Sequence, residues 1–255
     1  MKRIILIETS TALCSVALAE DGTVTAYRES SAPKAHASLT AVFVQEVLAE
    51  RGINLADCDA VCVSMGPGSY TGLRVGVSTA KGLCFGSGKP LLAVGTLDTL
   101  VSQALNEGNC SQSGKDWKYI IPMIDARRME VYSAVFRPVT QNSAADIPGE
   151  AEGSADYIKV TETSPVIVDS GSFIEYLEQG PCLFIGDGAG KCADVIAHPN
   201  AHFCQCHPKA SSMLAPALKA CKEKRLEDVA YFEPFYLKEF VATVSKKETV
   251  LKALQ

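Results

Sequence analysis

The chain has 255 residues, of which 47% are hydrophobic, 21% charged and 7% aromatic. This composition is typical of a folded globular protein and excludes a chain that is mainly disordered or fibrous. With 24 Lys and Arg against 29 Asp and Glu, the formal net charge is −5, which argues against a protein that binds nucleic acid by itself.

The N-terminal apolar run is too short for a secretory signal, because only four aliphatic residues, Ile4 to Ile7, precede Glu8. Elsewhere Gly, Pro and charged residues interrupt every apolar run before it reaches the roughly 18 residues of a membrane helix. We therefore expect a cytoplasmic protein with no membrane partner. The ten cysteines are irregularly spaced, and we expect reduced thiols that are buried as small hydrophobic groups.

The first half predicts a meander of three strands, followed by alternating helices and strands. The strands of the meander are 3–9, 13–19 and 23–29, and the pair Asp21-Gly22 suits its second turn. The later elements are helix 35–51, strand 59–65, helix 70–86, strand 90–94 and helix 96–106. This alternation predicts parallel strands with crossover helices. A polar stretch over 106–116 indicates a domain boundary, so we expect an N-terminal domain over 1–107.

The second half opens in the same way as the first, with two apolar runs at 118–124 and 130–136 that predict paired strands. The stretch 138–156 is poor in large apolar residues, and we expect a mobile surface loop there. The elements predicted after it are helix 171–179, strand 182–186, a short helix near 189–196, helix 211–224 and a basic, helical C-terminus. We expect a smaller second domain over 115–255, with the last helix as a candidate to pack back on the first domain.

The most distinctive motif is the glycine-rich stretch 65–76, which leads from a strand into a helix. Amides at a helix N-terminus can hold an anion, but the stretch lacks the Lys-Ser/Thr pair of a phosphate-binding loop and the glycine spacing of a dinucleotide site. Gly72, Gly76 and Ala80 recur every four residues and therefore share one helix face. We favour close packing of another backbone on this face, with an anion site as the alternative.

Helix 35–51 carries more apolar surface than one sheet can cover, because its apolar arc exceeds half of the circumference. Glu46 and Glu50 interrupt the arc, which favours an interface with another protein. The alternative is that the second domain or the C-terminal helix covers the arc. The two helices together predict a partner surface that consists of Leu39, Val42, Phe43, Glu46, Gly72, Leu73, Gly76 and Ala80.

Two polar turns are candidates for a nucleotide site. One follows the first strand and contains Glu8, Thr9 and Ser10, and the other follows strand 182–186 and consists of Gly186, Asp187 and Gly188. For the first turn, the alternative is a Ser/Thr turn that satisfies its own backbone.

Residues 198–207 contain three His and two Cys, all of them side chains that bind zinc. Their spacing matches no common zinc motif, so we favour an apolar strand that carries thiols over a metal site. The Gly-x-Ser-x-Gly elbow of many serine hydrolases is absent from the sequence.

Several of these stretches together resemble the bacterial TsaB family, also called YeaZ. They are 5–18, 66–76 with 80–83, and 124–132, and the segment 234–238 resembles the C-terminal part of that family. The resemblance implies an actin-like ATPase (ASKHA) fold, in which two ribonuclease-H-like domains carry mixed sheets.

The resemblance also implies a function, namely that of a non-catalytic scaffold subunit in the formation of threonylcarbamoyladenosine next to the anticodon of tRNA. The implied partners are a TsaD-like catalytic subunit, with which the chain would dimerise, and a TsaE-like ATPase. The complex, and not this chain, would contact tRNA directly. Alone, the chain is expected to form a homodimer.

The sequence departs from the catalytic relatives at two places. They carry a metal-binding His-x-x-x-His where Thr96 and Leu100 stand here, and Glu8 replaces the usual Asp in a first turn that lacks glycine. We therefore expect no catalytic residues, no metal and no required cofactor, with ATP or ADP as the candidate nucleotide. The alternative is a self-standing ATP-dependent enzyme or a glycoprotease-like hydrolase.

Overall fold

A computed structural model describes residues 2–106, 116–139 and 157–238 of the chain. Within these ranges the strands form two mixed sheets, one of five strands and one of seven. The predicted mobile loop lies almost wholly outside the described residues, as do most of the boundary stretch and the basic C-terminal helix. In the described ranges, no helix has the length and apolar character needed to cross a membrane.

The first sheet confirms the predicted meander and the crossovers. Its strands are β1 (Arg3–Glu8), β2 (Cys14–Glu20), β3 (Thr23–Ser30), β4 (Ala60–Gly66) and β5 (Leu91–Gly95), in the order β3-β2-β1-β4-β5. The strands β1, β2 and β3 pair antiparallel, whereas β4 is parallel to β1 and β5 is parallel to β4. The helices of this half are α1 (Ala35–Glu50), α2 (Tyr70–Ser87) and α3 (Thr96–Asn106).

Both faces of the first sheet are covered, because successive side chains of a strand point to opposite faces. Ile5 and Ile7 of β1 pack in a core cluster with α1 and α2. Ile4 and Leu6 face the other way, into a cluster with residues 210–220. A helical layer on each side explains why β1 reads as a continuous apolar run.

The second sheet repeats the opening of the first. Its strands are β6 (Tyr119–Asp125), β7 (Glu130–Ser133), β8 (Phe136–Pro138), β9 (Tyr157–Lys159), β10 (Ser164–Ile167), β11 (Cys182–Gly186) and β12 (Ala201–Gln205). The main order is β10-β7-β6-β11-β12, with β6 antiparallel to β7 and parallel to β11. The helices of this half are α4 (Ile174–Leu177), α5 (Ala189–Cys192) and α6 (Leu214–Lys222).

Two strands of the second sheet, β9 and β10, were not predicted. They are only three and four residues long, and neither contains enough apolar residues to show the alternating pattern of a strand. The predicted helix 171–179 is shorter, because the Asp169 carboxylate accepts hydrogen bonds from the Gly171 amide and the Ser172 hydroxyl and holds the chain in a turn before α4. The predicted helix 211–224 begins as a 3-10 turn over 210–213 and continues as α6.

The two halves of the chain are packed against each other. Leu97, Leu100 and Val101 of α3 share a core cluster with strands of the second sheet. Residues 210–220, which follow the second sheet in the chain, cover the first sheet. The division into domains over 1–107 and 115–255 stays a prediction.

The last described segment, residues 226–238, crosses the first half of the chain, and we call it the C-terminal strap. The Glu227 amide donates to the Leu91 carbonyl at 2.9 Å, and the Lys81 ammonium donates to the Ala230 and Phe232 carbonyls. Phe232 joins the core cluster of α1 and α2.

The cysteines are mainly the small hydrophobic groups that we expected. Eight described cysteines are free thiols and six of these are buried. Cys204 is disulfide-bonded, so the expectation of reduced thiols is wrong at this position. A disulfide requires two Cβ atoms within about 4 Å of each other, and spacing along the sequence does not reveal that proximity.

The small residues of α2 allow the helix to touch the turn between β1 and β2. A Cβ atom added at Gly72 would lie 2.1 Å from the Thr9 carbonyl oxygen, and one at Gly76 would lie 2.1 Å from Thr9 Oγ1. Ala80, one turn further, is fully buried. The close approach predicted for this helix face thus occurs within the chain.

This contact predicts opposite effects for two Gly→Ala substitutions in α2. Gly72→Ala would force the Thr9 backbone away and lower the free energy of unfolding by roughly 1–3 kcal/mol. Gly82→Ala meets nothing within 4 Å and would raise it by about 1 kcal/mol, because alanine has the higher helix propensity. Urea unfolding of both variants measures the difference, and an equal effect of the two substitutions would contradict the contact.

Candidate functional site

A cleft of about 620 Å³ lies where turns of the two sheets face each other. The first half contributes the β1–β2 turn and the N-terminus of α2, and the second half contributes the β6–β7 turn. The end of the C-terminal strap closes one side. The residues that line the cleft include Ser10, Thr11, Ala12, Gly68, Tyr70, Asp125, Arg127, Asp187, Tyr236 and Lys238.

The β1–β2 turn is held by hydrogen bonds from other groups of the chain. Glu8 is fully buried, and its Oε1 accepts a hydrogen bond from the Ser10 amide at 2.7 Å. The Ser10 carbonyl accepts from the Ser69 amide at 2.6 Å, and the Thr11 carbonyl accepts from His36 Nε2 at 2.8 Å. The backbone of the turn is therefore held by groups of the same chain.

Four buried side-chain atoms of this turn have no hydrogen-bond partner among the described residues. They are Glu8 Oε2 and the hydroxyl oxygens of Thr9, Ser10 and Thr11. Burial raises the pKa of Glu8 to about 7, and the polar groups of Ser10 offset only part of this effect. At neutral pH, a substantial fraction of Glu8 is therefore protonated.

The second predicted turn, Gly186-Asp187-Gly188, packs β11 against β6. Gly186 has φ +133°, and a Cβ atom there would lie 2.2 Å from the Met123 carbonyl oxygen. The Gly188 amide donates to that carbonyl at 3.0 Å. Asp187 Oδ1 accepts a hydrogen bond from the Asp125 amide at 2.9 Å, and burial raises the pKa of Asp187. Both glycines are thus explained by close packing within the second half.

The structure brings the two predicted nucleotide turns to one cleft, although only part of each turn reaches it. Ser10 and Asp187 line the cleft, whereas Glu8 and Thr9 are buried behind it. The Ser10 amide, which could have met a phosphate, already donates to Glu8. The turns therefore fit a bound nucleotide only in part.

Most residues that line the cleft were not predicted as site residues, and among the largest of these are Arg127, Lys238, Tyr70 and Tyr236. Arg127 has φ +70° and follows Asp125 in the β6–β7 turn, and Lys238 forms an ion pair with Glu130. The rings of Tyr70 and Tyr236 lie 4.9 Å apart, so the strap contacts the start of α2. The segments that contain these residues carried the family resemblance, but their place at one cleft follows only from the fold.

The positions that hold metal-binding histidines in the catalytic relatives are part of the core here. Thr96 is fully buried and its hydroxyl lies 2.9 Å from that of Ser64, while Leu100 packs between the two sheets. In residues 198–207, β12 forms as expected. Among the described residues, no group of three or more His, Cys, Asp and Glu side chains is placed to hold a metal ion.

The predicted partner surface divides into a buried and an exposed part. Gly72, Gly76 and Ala80 face the inside of the chain, as described above, and two large members are also buried, namely Phe43 and Leu73. Leu39 is partly buried. Val42 is 40% exposed, and Glu46 is exposed and forms an ion pair with Arg28 at 2.9 Å.

The opposite side of α2 is exposed and carries its own small residues. Ser78, Gly82 and Gly86 recur every four residues there, and Cβ atoms added at the two glycines would meet nothing within 4 Å. Beside them, Phe85 is 86% exposed. We call Val42 of α1 and Ser78, Gly82, Phe85 and Gly86 of α2 the outer face of the helix pair. The small residues of α2 that the sequence singled out, Gly72, Gly76 and Ala80, are buried within the chain, and the partner surface stays a prediction.

The buried Glu8 predicts a pH dependence of stability. Because the folded state raises the pKa of Glu8 from 4.5 to about 7, the folded state binds this proton more tightly than the unfolded chain does. The resulting stabilisation is complete below pH 4.5 and is lost as the pH rises through 7, a change of about 3 kcal/mol in the free energy of unfolding.

Glu8→Gln should remove this part of the pH dependence and leave the variant more stable than the native chain at pH 8. Urea unfolding between pH 5 and 8 measures it, with the exposed Glu46→Gln as the control. Identical pH profiles for Glu8→Gln and the native chain would show that Glu8 is not buried as described.

Comparisons with known proteins agree with the resemblance found in the sequence. A family model described as TsaD, tRNA N6-adenosine threonylcarbamoyltransferase, matches residues 29–249. The tRNA threonylcarbamoyladenosine biosynthesis protein TsaB of Escherichia coli K12 is 38% identical over 135 residues, which are 53% of this chain and 55% of that protein. The TsaB protein of Haemophilus influenzae is 36% identical over 129 residues, 51% of either chain. The chain thus spans about half the length of these curated relatives.

Solved structures from Pseudomonas aeruginosa share the fold. One is described as YeaZ and superposes with a TM-score of 0.75 at 24% identity, covering 93% of this chain and 100% of that chain. Another, described as an uncharacterized protein with similarity to peptidase YEAZ, gives 0.76 with the same coverage. An identity this low shows the fold alone. These structures, together with the family model that matches residues 29–249, confirm the actin-like fold with two mixed sheets.

The match of the family model extends over most of the chain, and the curated relatives and solved structures point to the same group of proteins. The chain belongs to the TsaD family, among its members that resemble TsaB, or YeaZ.

Proposed function

We propose that the chain is a non-catalytic scaffold subunit that binds a TsaD-like catalytic subunit during the formation of threonylcarbamoyladenosine next to the anticodon of tRNA. The outer face of the helix pair is the binding surface in this proposal. The observation that carries it is the 86% exposure of Phe85 beside two glycines whose Cβ positions are open.

An exposed aromatic side chain on a smooth helix face suits a protein interface. Burying a Phe side chain contributes about 1.5–3 kcal/mol, and aromatic residues are enriched at the centres of interfaces. Gly82 and Gly86 allow a partner helix to approach closely beside Phe85. Val42 of α1 is a further exposed apolar side chain of the helix pair.

The buried members of the predicted surface support this face from below. Phe43 of α1 packs in one core cluster with Val77 and Ala80 of α2, and Leu73 is also buried. Gly72 and Gly76 fix α2 against the Thr9 turn. A helix pair that is held in this way presents its outer face in one geometry, which lowers the entropy cost of binding.

A second copy of the chain is the proposed occupant of the same face when the catalytic subunit is absent. Two identical faces can meet around a two-fold axis, so that each Phe85 is covered by the other chain. The homodimer and the complex with the catalytic subunit would then exclude each other.

The proposal assigns no catalytic step to the cleft of this chain, and no nucleotide is required for the scaffold role. The Ser10 amide is already bonded to Glu8, and Thr96 and Leu100 pack in the core, which supports this part of the proposal. ATP or ADP stays the candidate nucleotide. The TsaE-like ATPase and an indirect contact with tRNA also belong to the proposal, and they rest on the family resemblance.

A self-standing ATP-dependent enzyme is the second candidate. The unpartnered hydroxyls of Thr9, Ser10 and Thr11 near the cleft favour it, because such groups could bind a ligand. Turnover of ATP by the isolated chain would support this candidate and contradict the scaffold proposal.

The scaffold proposal predicts that Phe85→Asp abolishes binding of the TsaD-like subunit of the same organism. Placing a charge in the desolvated centre of an interface should weaken the affinity at least 100-fold, or by about 3 kcal/mol. Isothermal titration calorimetry measures the affinity, and sedimentation measures the loss of the homodimer.

Ile167→Asp is the matched control, because Ile167 is 77% exposed but lies on strand β10 of the second sheet. Both variants should unfold at nearly the native temperature, since neither side chain is packed. Native affinity of the Phe85→Asp chain, or an equal loss in both variants, would overturn the proposed surface.

A further inference from the structure

A second cavity, of about 310 Å³, lies beside the carboxyl ends of β4 and β5. Residues 93–98 form one wall, β9 and α6 form two others, and Phe235 of the strap separates the cavity from the larger cleft. Its apolar lining includes Val94, Leu97 and Pro216. Neither the scaffold proposal nor the nucleotide turns use this cavity.

The cavity is lined by more basic than acidic side chains. Asp98 is the one acidic side chain among the described residues that line it, whereas the cations are Lys159, Lys219 and Arg225. The lining residues alone carry a formal excess of two positive charges, and Glu223, which is ion-paired with Lys219 and Arg225, lowers the local excess to one. An excess of this kind attracts an anion.

Asp98 and the three cations of the cavity do not form ion pairs with each other within 4.0 Å, although all four line it. Lys219 and Arg225 instead contact Glu223, which lies outside the lining, at 3.9 and 2.6 Å. A ligand that carries both a negative group and a hydrogen-bond donor could connect the two sides.

Asp98 is fixed in position at its side of the cavity. Its Oδ1 accepts a hydrogen bond from the Tyr157 hydroxyl at 3.1 Å. Asp98 is partly buried, and this burial raises the pKa of its carboxyl group. A carboxylate accepts several hydrogen bonds, so Asp98 can take a further donor from a ligand.

We propose that this cavity binds a small phosphomonoester that also carries a hydroxyl group. The phosphate would lie among Lys159, Lys219 and Arg225, and the hydroxyl would donate to Asp98. A phosphomonoester carries a charge of about −1.5 to −2 at pH 7, which the three cations can attract. The volume is at the lower end for ligand sites and suits a free small molecule.

Isothermal titration calorimetry of the full chain with glycerol 3-phosphate tests this site. The native chain should bind it, and Lys219→Gln should weaken binding about 10-fold. Lys222→Gln is the matched control, because Lys222 is an exposed lysine of the same helix that does not line the cavity, and it should leave the affinity unchanged.

The variant Asp98→Asn tests the hydroxyl end of the site separately from the phosphate end. It should weaken binding of glycerol 3-phosphate, which loses a charged acceptor for its hydroxyl, and strengthen binding of inorganic phosphate, because a negative charge is removed. If this variant is unstable, the exposed Lys219 and Lys222 still decide between the outcomes.

Three results would overturn the proposal. They are no binding of glycerol 3-phosphate to the native chain, an equal effect of Lys219→Gln and Lys222→Gln, and binding of a single-stranded RNA oligonucleotide without binding of glycerol 3-phosphate. The last result would assign the cations to a nucleic-acid backbone.

Discussion

Helix α2 packs against the turn after β1 so closely that only glycine fits at three positions of the contact. Gly68, Gly72 and Gly76 bring the helix so close to Thr9 and Ser10 that an added Cβ atom would lie 2.1–2.3 Å from oxygen atoms of the turn. The same contact sets the position of the cleft, because the turn and the N-terminus of α2 form one of its walls. It also determines which side of α2 faces outward.

Both sides of α2 carry small residues, but one side packs inside the chain and the other is exposed. On the inner side, glycine removes side chains that would collide with the turn. On the outer side, glycine leaves a smooth surface beside Phe85, and nothing in the described part of the chain covers it. A helix of 18 residues can thus join the chain's own core on one side and be open to another protein on the other.

Most of the fold could be predicted from the sequence, because apolar residues recur at a clear spacing in long strands and helices. The first sheet and its three helices agree with the prediction to within one or two residues at each end. The short strands β9 and β10 carry no such signal, since pairing with neighbouring strands and not their composition holds them in place.

The candidate site was predicted less completely, for a physical reason. A spacing of four residues shows that Gly72, Gly76 and Ala80 share a side of the helix, but it does not show whether that side faces inward or outward. Likewise, Arg127 and Lys238 are more than 100 positions apart in the sequence and meet at the cleft only because both sheets are assembled.

The C-terminal strap contributes to the walls of both cavities. Phe235 and Pro67 border both cavities, and the Phe235 amide is bonded to the Met65 carbonyl at 2.7 Å. The ring of Phe235 is therefore part of the wall of both cavities, and a change in its position would alter both.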